Sequence, residues 1–155
     1  MLVSDVMSQP ALSIGRDATL YDALVALRSS GFSGLPVLDA SGRVGGVLSE
    51  RDVARVYAGA LSRHDVKGLL DILTVGFLDQ REPWLRSARQ RLEEMVVADA
   101  MTSPAYVIRP DAPLELAAEI MVENSINRIP VVEGEHLVGI VTRNDLVRAV
   151  ATRSE

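Results

Sequence analysis

The chain has no cysteine among its 155 residues, so disulfides and thiolate metal sites are excluded. That composition is compatible with a reducing compartment, and the expected location is the cytoplasm. Histidine is scarce: His64 and His136 are far apart and show no ligand spacing, which argues against a metal centre. The net charge of −5 is spread without an acidic block or a basic tail. This favours solubility over a general attraction to nucleic acid or an anionic membrane. No apolar run approaches the roughly 20 residues that span a bilayer, and no charged segment followed by an apolar stretch opens the chain. The expectation is therefore a protein neither exported nor embedded. No nucleophile, base and orienting group can be assembled by motif, so the chain reads as a non-enzyme with no required cofactor. Gly42-Arg43-Val44-Gly45-Gly46 is rich in glycine but lacks the Lys-Ser/Thr of a phosphate loop, and it reads as a turn.

The positive evidence is internal repetition. Asp5-Val6-Met7-Ser8-Gln9-Pro10 returns as Asp99-Ala100-Met101-Thr102-Ser103-Pro104, and Leu35-Pro36-Val37-Leu38 returns as Ile129-Pro130-Val131-Val132, both 94 positions later. Gly46-Val47-Leu48-Ser49-Glu50-Arg51-Asp52 is matched by Gly139-Ile140-Val141-Thr142-Arg143-Asn144-Asp145 at 93, as a duplication with one turn residue lost requires. Each copy is about 55 residues and would be marginal alone, so a chain with 48% hydrophobic residues is expected to pack its copies together. Their interface is the natural place for a ligand.

Within each copy the pattern predicts strand, helix, hairpin, helix. Leu12-Ser13-Ile14 suits a short strand, and Thr19 caps a helix whose apolar face is Leu20, Ala23, Leu24 and Leu27. Leu114, Ala117, Ala118 and Met121 repeat that face, with Pro113 placed in the first helical turn. Gly31 and Asn124-Ser125 end these helices. Strands at Leu35 to Leu38 and Ile129 to Val132 then pair as hairpins with Val44 to Leu48 and Leu137 to Val141. A second helix follows, with Val53, Val56, Tyr57 and Ala60 facing the core in one copy and Leu146, Ala149 and Val150 in the other. The units are residues 1–60 and 97–152, separated by a helical insertion at 61–96. Leu69, Ile72 and Leu73 precede Pro83, after which Leu85, Ala88, Leu92, Met95 and Val96 fit an amphipathic helix with Arg86, Arg89 and Arg91 toward water. Trp84 reads as an anchor for that helix. The partner of its apolar face is left open: the lobes themselves, a second subunit or another protein.

The ordered motifs Asp-x-Met-Ser/Thr-x-x-Pro, apolar-Pro-Val-apolar and Gly-apolar-apolar-Ser/Thr-x-x-Asp, found twice, resemble the cystathionine beta-synthase (CBS) domain pair, or Bateman module. The resemblance covers residues 1–55 and 97–150. It implies an α/β (α+β) fold of two tandem CBS-type repeats about a pseudo-twofold axis, with clefts that bind adenosine compounds, and a regulatory role. By the same resemblance, Asp52 and Asp145 would accept hydrogen bonds from ribose hydroxyls, with Ser49 and Thr142 beside the sugar or phosphate. The chemistry is reasonable, because a carboxylate offers about four acceptor positions to a vicinal diol. Ser/Thr-x-x-Asp is also a capping-box pattern, and the two roles need not compete. Leu35, Asn127 and Ile129, beside the motif prolines, are candidate pocket residues.

Arg128 has no counterpart in the first copy, which carries Gly34 there. It matches the position used for phosphate contact in the gamma subunit of AMP-activated protein kinase. A planar guanidinium suits a phosphate and offers little to the sulfonium of S-adenosylmethionine, so the expected ligand is AMP, ADP or ATP. The alternative, a solvated surface arginine, stays open here. The two clefts are expected to bind unequally, and the sequence does not say which one Arg128 faces. Family analogy adds a homodimer and an unknown effector protein. The competing function is a ligand-free dimerisation and protein-interaction module.

Overall fold

The structure, a computed structural model, describes residues 1–58 and 83–152, with the side chains at positions 57, 58, 83, 84, 85, 87, 88 and 152 excepted. The expectations for Leu69, Ile72, Leu73 and Ala60, and for the side chains of Tyr57, Trp84, Leu85 and Ala88, lie outside the described residues. A 3₁₀ turn, Val3–Asp5, comes first, followed by β1 (Ile14–Gly15), α1 (Leu20–Ser30), β2 (Gly34–Leu38), β3 (Val44–Ser49) and α2 (Glu50–Ala58). Next are α3 (Pro83–Glu94) and α4 (Val97–Ala100), then α5 (Leu114–Glu123), β4 (Arg128–Glu133), β5 (His136–Thr142) and α6 (Arg143–Thr152).

Local chemistry sets the element ends. Thr19 Oγ1 accepts the Asp22 N–H at 3.0 Å, filling one of the unsatisfied donors of the first turn of α1. Gly31 ends that helix in the left-handed region at φ 70°, where a Cβ would be strained. Pro113 lies one residue earlier than expected, at the N-cap of α5. In the β2–β3 turn, Asp39 Oδ1 accepts from the N–H groups of Ser41 and Arg43, and the Ser41 hydroxyl donates to it at 2.6 Å. That hydroxyl is the leading reason the Asp39 carboxyl falls below its ordinary pKa.

β1 runs parallel to β2, with Ile14 opposite Val37, and β2 is antiparallel to β3. The second copy repeats this with the parallel bridge Ile108 to Val131 and the antiparallel β4–β5 pair. The helices cover one face of each sheet. Leu20, Ala23, Leu24, Val37, Leu48 and Val53 form one core, and Leu114, Ala117, Met121, Ile129, Val131 and Val141 form the other. Val150, expected in the core, is instead 70% exposed. Ala149 takes the core-facing position, and the adjacent residue lies about 100° further round the helix.

The lead segments are exchanged, which the motif analysis did not anticipate. Val3, Val6 and Met7 belong to the core of the second copy, whereas Val97, Ala100 and Met101 belong to that of the first. Ser8 exchanges two backbone hydrogen bonds with Ile140 of β5, and Thr102 does the same with Val47 of β3. Each sheet thus gains a short segment from the other copy. The insertion helix α3 packs on α1 of the first copy: Leu92 is 3% exposed in that core, and the Arg89 guanidinium lies 4.7 Å from the centre of the Tyr21 ring. Arg86, Arg89 and Arg91 face water as expected. Among the described residues, no helix is long and apolar enough to cross a membrane.

Candidate functional site

Each hairpin's second strand ends in a hydroxyl residue and leads directly into a helix, so Ser49 and Thr142 sit at strand-to-helix corners. In both copies the carboxylate three residues on folds back over the corner. Asp52 Oδ2 accepts from the Ser49 N–H at 2.9 Å and its hydroxyl at 2.6 Å, and Asp145 Oδ2 accepts from the Thr142 N–H at 2.8 Å and its hydroxyl at 2.6 Å. The capping-box reading of Ser/Thr-x-x-Asp is therefore correct as far as one oxygen goes. Both carboxylates are nevertheless in cleft walls, at 5% and 8% exposure.

Their second oxygens differ. Asp52 Oδ1 is taken by the Thr102 hydroxyl at 3.2 Å and by Arg55 Nη1 at 3.3 Å. Asp145 Oδ1 has no partner among the described residues. Ser8, which matches Thr102, lines the Asp145 cleft without bonding the carboxylate. One acidic group is thus satisfied internally, whereas the other keeps acceptor capacity for a ligand.

The clefts lie between the copies and differ in size and charge. The Asp145 cleft encloses about 740 Å³, within the usual range for small-molecule pockets. Its far wall is the Gly31–Gly34 turn of the first copy, and among the described residues Arg128, Arg143, Arg148 and Asp145 are its charged lining. The Asp52 cleft is smaller, about 490 Å³, with Arg51, Arg55 and Arg128 set against Glu50 and Asp52. The position after the corner hydroxyl explains the contrast, being Glu50 in one copy and Arg143 in the other. The Asp145 cleft is the more favourable place for an anion.

Arg128 and Asn127 line both clefts. The Arg128 side chain crosses from β4 to the first copy, where its Nη2 donates to Ser33 Oγ at 2.7 Å. It lies where a side chain on Gly34 would have to be, since a Cβ built there would overlap the guanidinium. Burial pulls this guanidinium below its ordinary pKa, against the opposing pull of Glu50 and Asp52. It is a half-buried bridge between copies, not a solvated arginine.

Leu35 and Ile129 require a correction: both are fully buried and line neither cleft. Strand residues alternate faces, so Gly34 and Arg128 look toward the clefts while their neighbours look into the cores. Apolar walls come instead from Val47 and Tyr106 on one side and Phe32 and Ile140 on the other. Arg55 and Arg148 were not anticipated, although Asp-x-x-Arg recurs in both copies and the repeat alone could have revealed them. Among the described residues, no group of acidic, histidine or cysteine side chains could hold a metal ion.

Comparison with known proteins places this geometry. The CBS domain model matches residues 3–59 and 97–152. The Methanocaldococcus jannaschii protein MJ1426 is 34% identical, over 97% of this chain and 91% of its own length. CBSX2, a chloroplastic CBS domain-containing protein of Arabidopsis thaliana, is 33% identical over 83% of this chain, a match spanning 53% of the relative. The crystal structure of CBSX2 in complex with AMP superposes with a TM-score of 0.71 at 27% identity, covering 99% of this chain and 98% of that one. The CBS domain pair of protein MJ0100, solved with 5′-methylthioadenosine and S-adenosyl-L-methionine, shares the fold at TM-score 0.74 and 21% identity, over 99% and 98% of the two chains.

Proposed function

The chain belongs to the CBS domain family, and from that premise we propose that it is a regulatory sensor that binds an adenine nucleotide of the AMP, ADP or ATP type in its Asp145 cleft. The observation that carries this reading is Asp145 Oδ1, which has no partner among the described residues, within a cleft of about 740 Å³ lined also by Arg128 and Arg143. Asp145 would take the ribose diol. Thr142 and the N-terminus of α6 would favour the phosphate, and Arg128, on the strand paired with Thr142, would reach it with its guanidinium. The AMP complex of CBSX2 supports a nucleotide of this class. S-adenosylmethionine fits less well, because its sulfonium would face Arg128 and Arg143. Occupancy regulates only if the ligand binds one arrangement of the two copies better than another, and a cleft walled by both permits that.

Thermal melting with AMP, ADP, ATP and S-adenosylmethionine tests the reading. A nucleotide at 100 times its dissociation constant adds about 2.7 kcal/mol, or about 5 to 10 °C for a chain of this size. Asp145→Ala should abolish most of that shift. If Asp145 is only a cap, the variant loses about 1 kcal/mol of intrinsic stability and keeps the full ligand shift. No shift with any of the four at millimolar concentration sinks the proposal.

A second reading, a homodimerising interaction module indifferent to nucleotides, rests on Val122, Val147 and Val150, which are 76%, 62% and 70% exposed on the adjacent helices α5 and α6. The same melts separate the two. An interaction module gives a melting temperature that rises with protein concentration and ignores nucleotide. Neither reading assigns a reaction to the chain, and the effector protein is defined by neither.

A further inference from the structure

Two clefts related by a pseudo-twofold axis would ordinarily have two copies of every contact, yet here they share one guanidinium. Arg128 lines both cavities. It lies over Gly34, its own counterpart in the first copy, and is tied to Ser33 beside it. A Cβ on Gly34 would overlap it and crowd the Leu48 carbonyl oxygen at 2.9 Å, so the first copy supplies no counterpart to this guanidinium. Glu50 and Asp52, on the Asp52 side, favour its charged form, and Ser33, to which it is tied, lines both clefts. Its backbone, however, is paired with Thr142 of the Asp145 side.

We propose that Arg128 is a phosphate-binding group shared by the two clefts, so that a phosphorylated nucleotide in one cleft excludes a second from the other. The inference rests on the nucleotide reading above and adds its stoichiometry. A phosphate in the Asp145 cleft draws the guanidinium away from Glu50 and Asp52. The Asp52 cleft, with Glu50 and Asp52 set against Arg51 and Arg55, then has no net positive charge to offer a second phosphate. Adenosine lacks the group that competes, so its binding to the two clefts is uncoupled.

Isothermal titration with AMP and with adenosine tests this on the full chain, on Asp52→Ala and on Asp145→Ala, each with and without Arg128→Ala. A charge-assisted hydrogen bond corresponds to about a tenfold to hundredfold change in affinity. Arg128→Ala should therefore lower the preference for AMP over adenosine by about tenfold or more in both single-cleft backgrounds. The unaltered chain should bind its second AMP about tenfold or more weaker than the weaker single-cleft variant binds its only one. A loss confined to one background overturns the sharing while leaving the nucleotide reading intact, and so do two AMP molecules bound with the affinities of isolated clefts. Failure of every chain to bind either compound overturns both. Should loss of a cap unfold a variant, Ser8→Trp and Ala105→Trp, which place a bulky side chain in the Asp145 and Asp52 clefts respectively and keep both capping carboxylates in the chain, repeat the comparison.

Discussion

Gly46 and Gly139 are the residues on which the two ends of the motif meet. A Cβ on Gly46 would lie 2.8 Å from both the Met101 sulfur and the Thr102 carbonyl oxygen, and one on Gly139 would lie 2.6 Å from the Met7 sulfur. The methionine of each Asp-x-Met opening therefore rests on the glycine that begins the closing motif of the other copy. Gly46→Ala should cost about 1 to 3 kcal/mol by overpacking, since the Thr102 carbonyl belongs to a paired backbone and cannot step aside. Urea unfolding checks this, and an unchanged midpoint would refute the contact. The asymmetry of the site also belongs to this scale: the two carboxylates share their caps, but Thr102 and Arg55 bond Asp52 where Ser8 and Arg148 do not bond Asp145, and Glu50 is replaced by Arg143. The Thr102/Ser8 and Glu50/Arg143 differences stand in the repeat alignment itself, whereas the arginines are the same in both copies. What the alignment could not give was the direction of Arg128, because pseudo-symmetry makes both clefts equivalent until the guanidinium is seen lying over Gly34.

At the level of elements, α3 is integral to the first lobe. Leu92→Ala should destabilise the chain by about 2 to 5 kcal/mol if the helix is part of that core, and by less than about 0.5 kcal/mol if it is only appended. Equilibrium denaturation distinguishes the two. The helix faces and hairpins were legible because their apolar periods are local: Leu20, Ala23, Leu24 and Leu27 are all buried, and both hairpins pair as their turns imply. The same local reasoning failed at Leu35 and Ile129. Proximity to a motif proline suggested a pocket wall, and the strand's alternation was not applied to decide which face each residue presents. It failed again at Val150, where an apolar residue at the edge of a helical stripe was assigned to the core.

The molecule as a whole is laced together by its lead segments, and this was the least legible feature. Val3 and Val97 are equally apolar and equally spaced from their own repeats, so no periodicity says that each enters the opposite core. Val3→Ala, although within the first repeat, should remove about 1.5 to 3 kcal/mol from the second lobe. Hydrogen exchange would show it as faster opening of α5 and the β4–β5 hairpin, with β2–β3 less affected; a loss concentrated in β2–β3 would contradict the exchange. The crossed straps also constrain how a filled cleft can be felt elsewhere. The halves cannot gape like a clam's valves without peeling Ser8 from one sheet edge and Thr102 from the other. A signal leaving this body must therefore travel as a twist or a slide that keeps both fastenings closed.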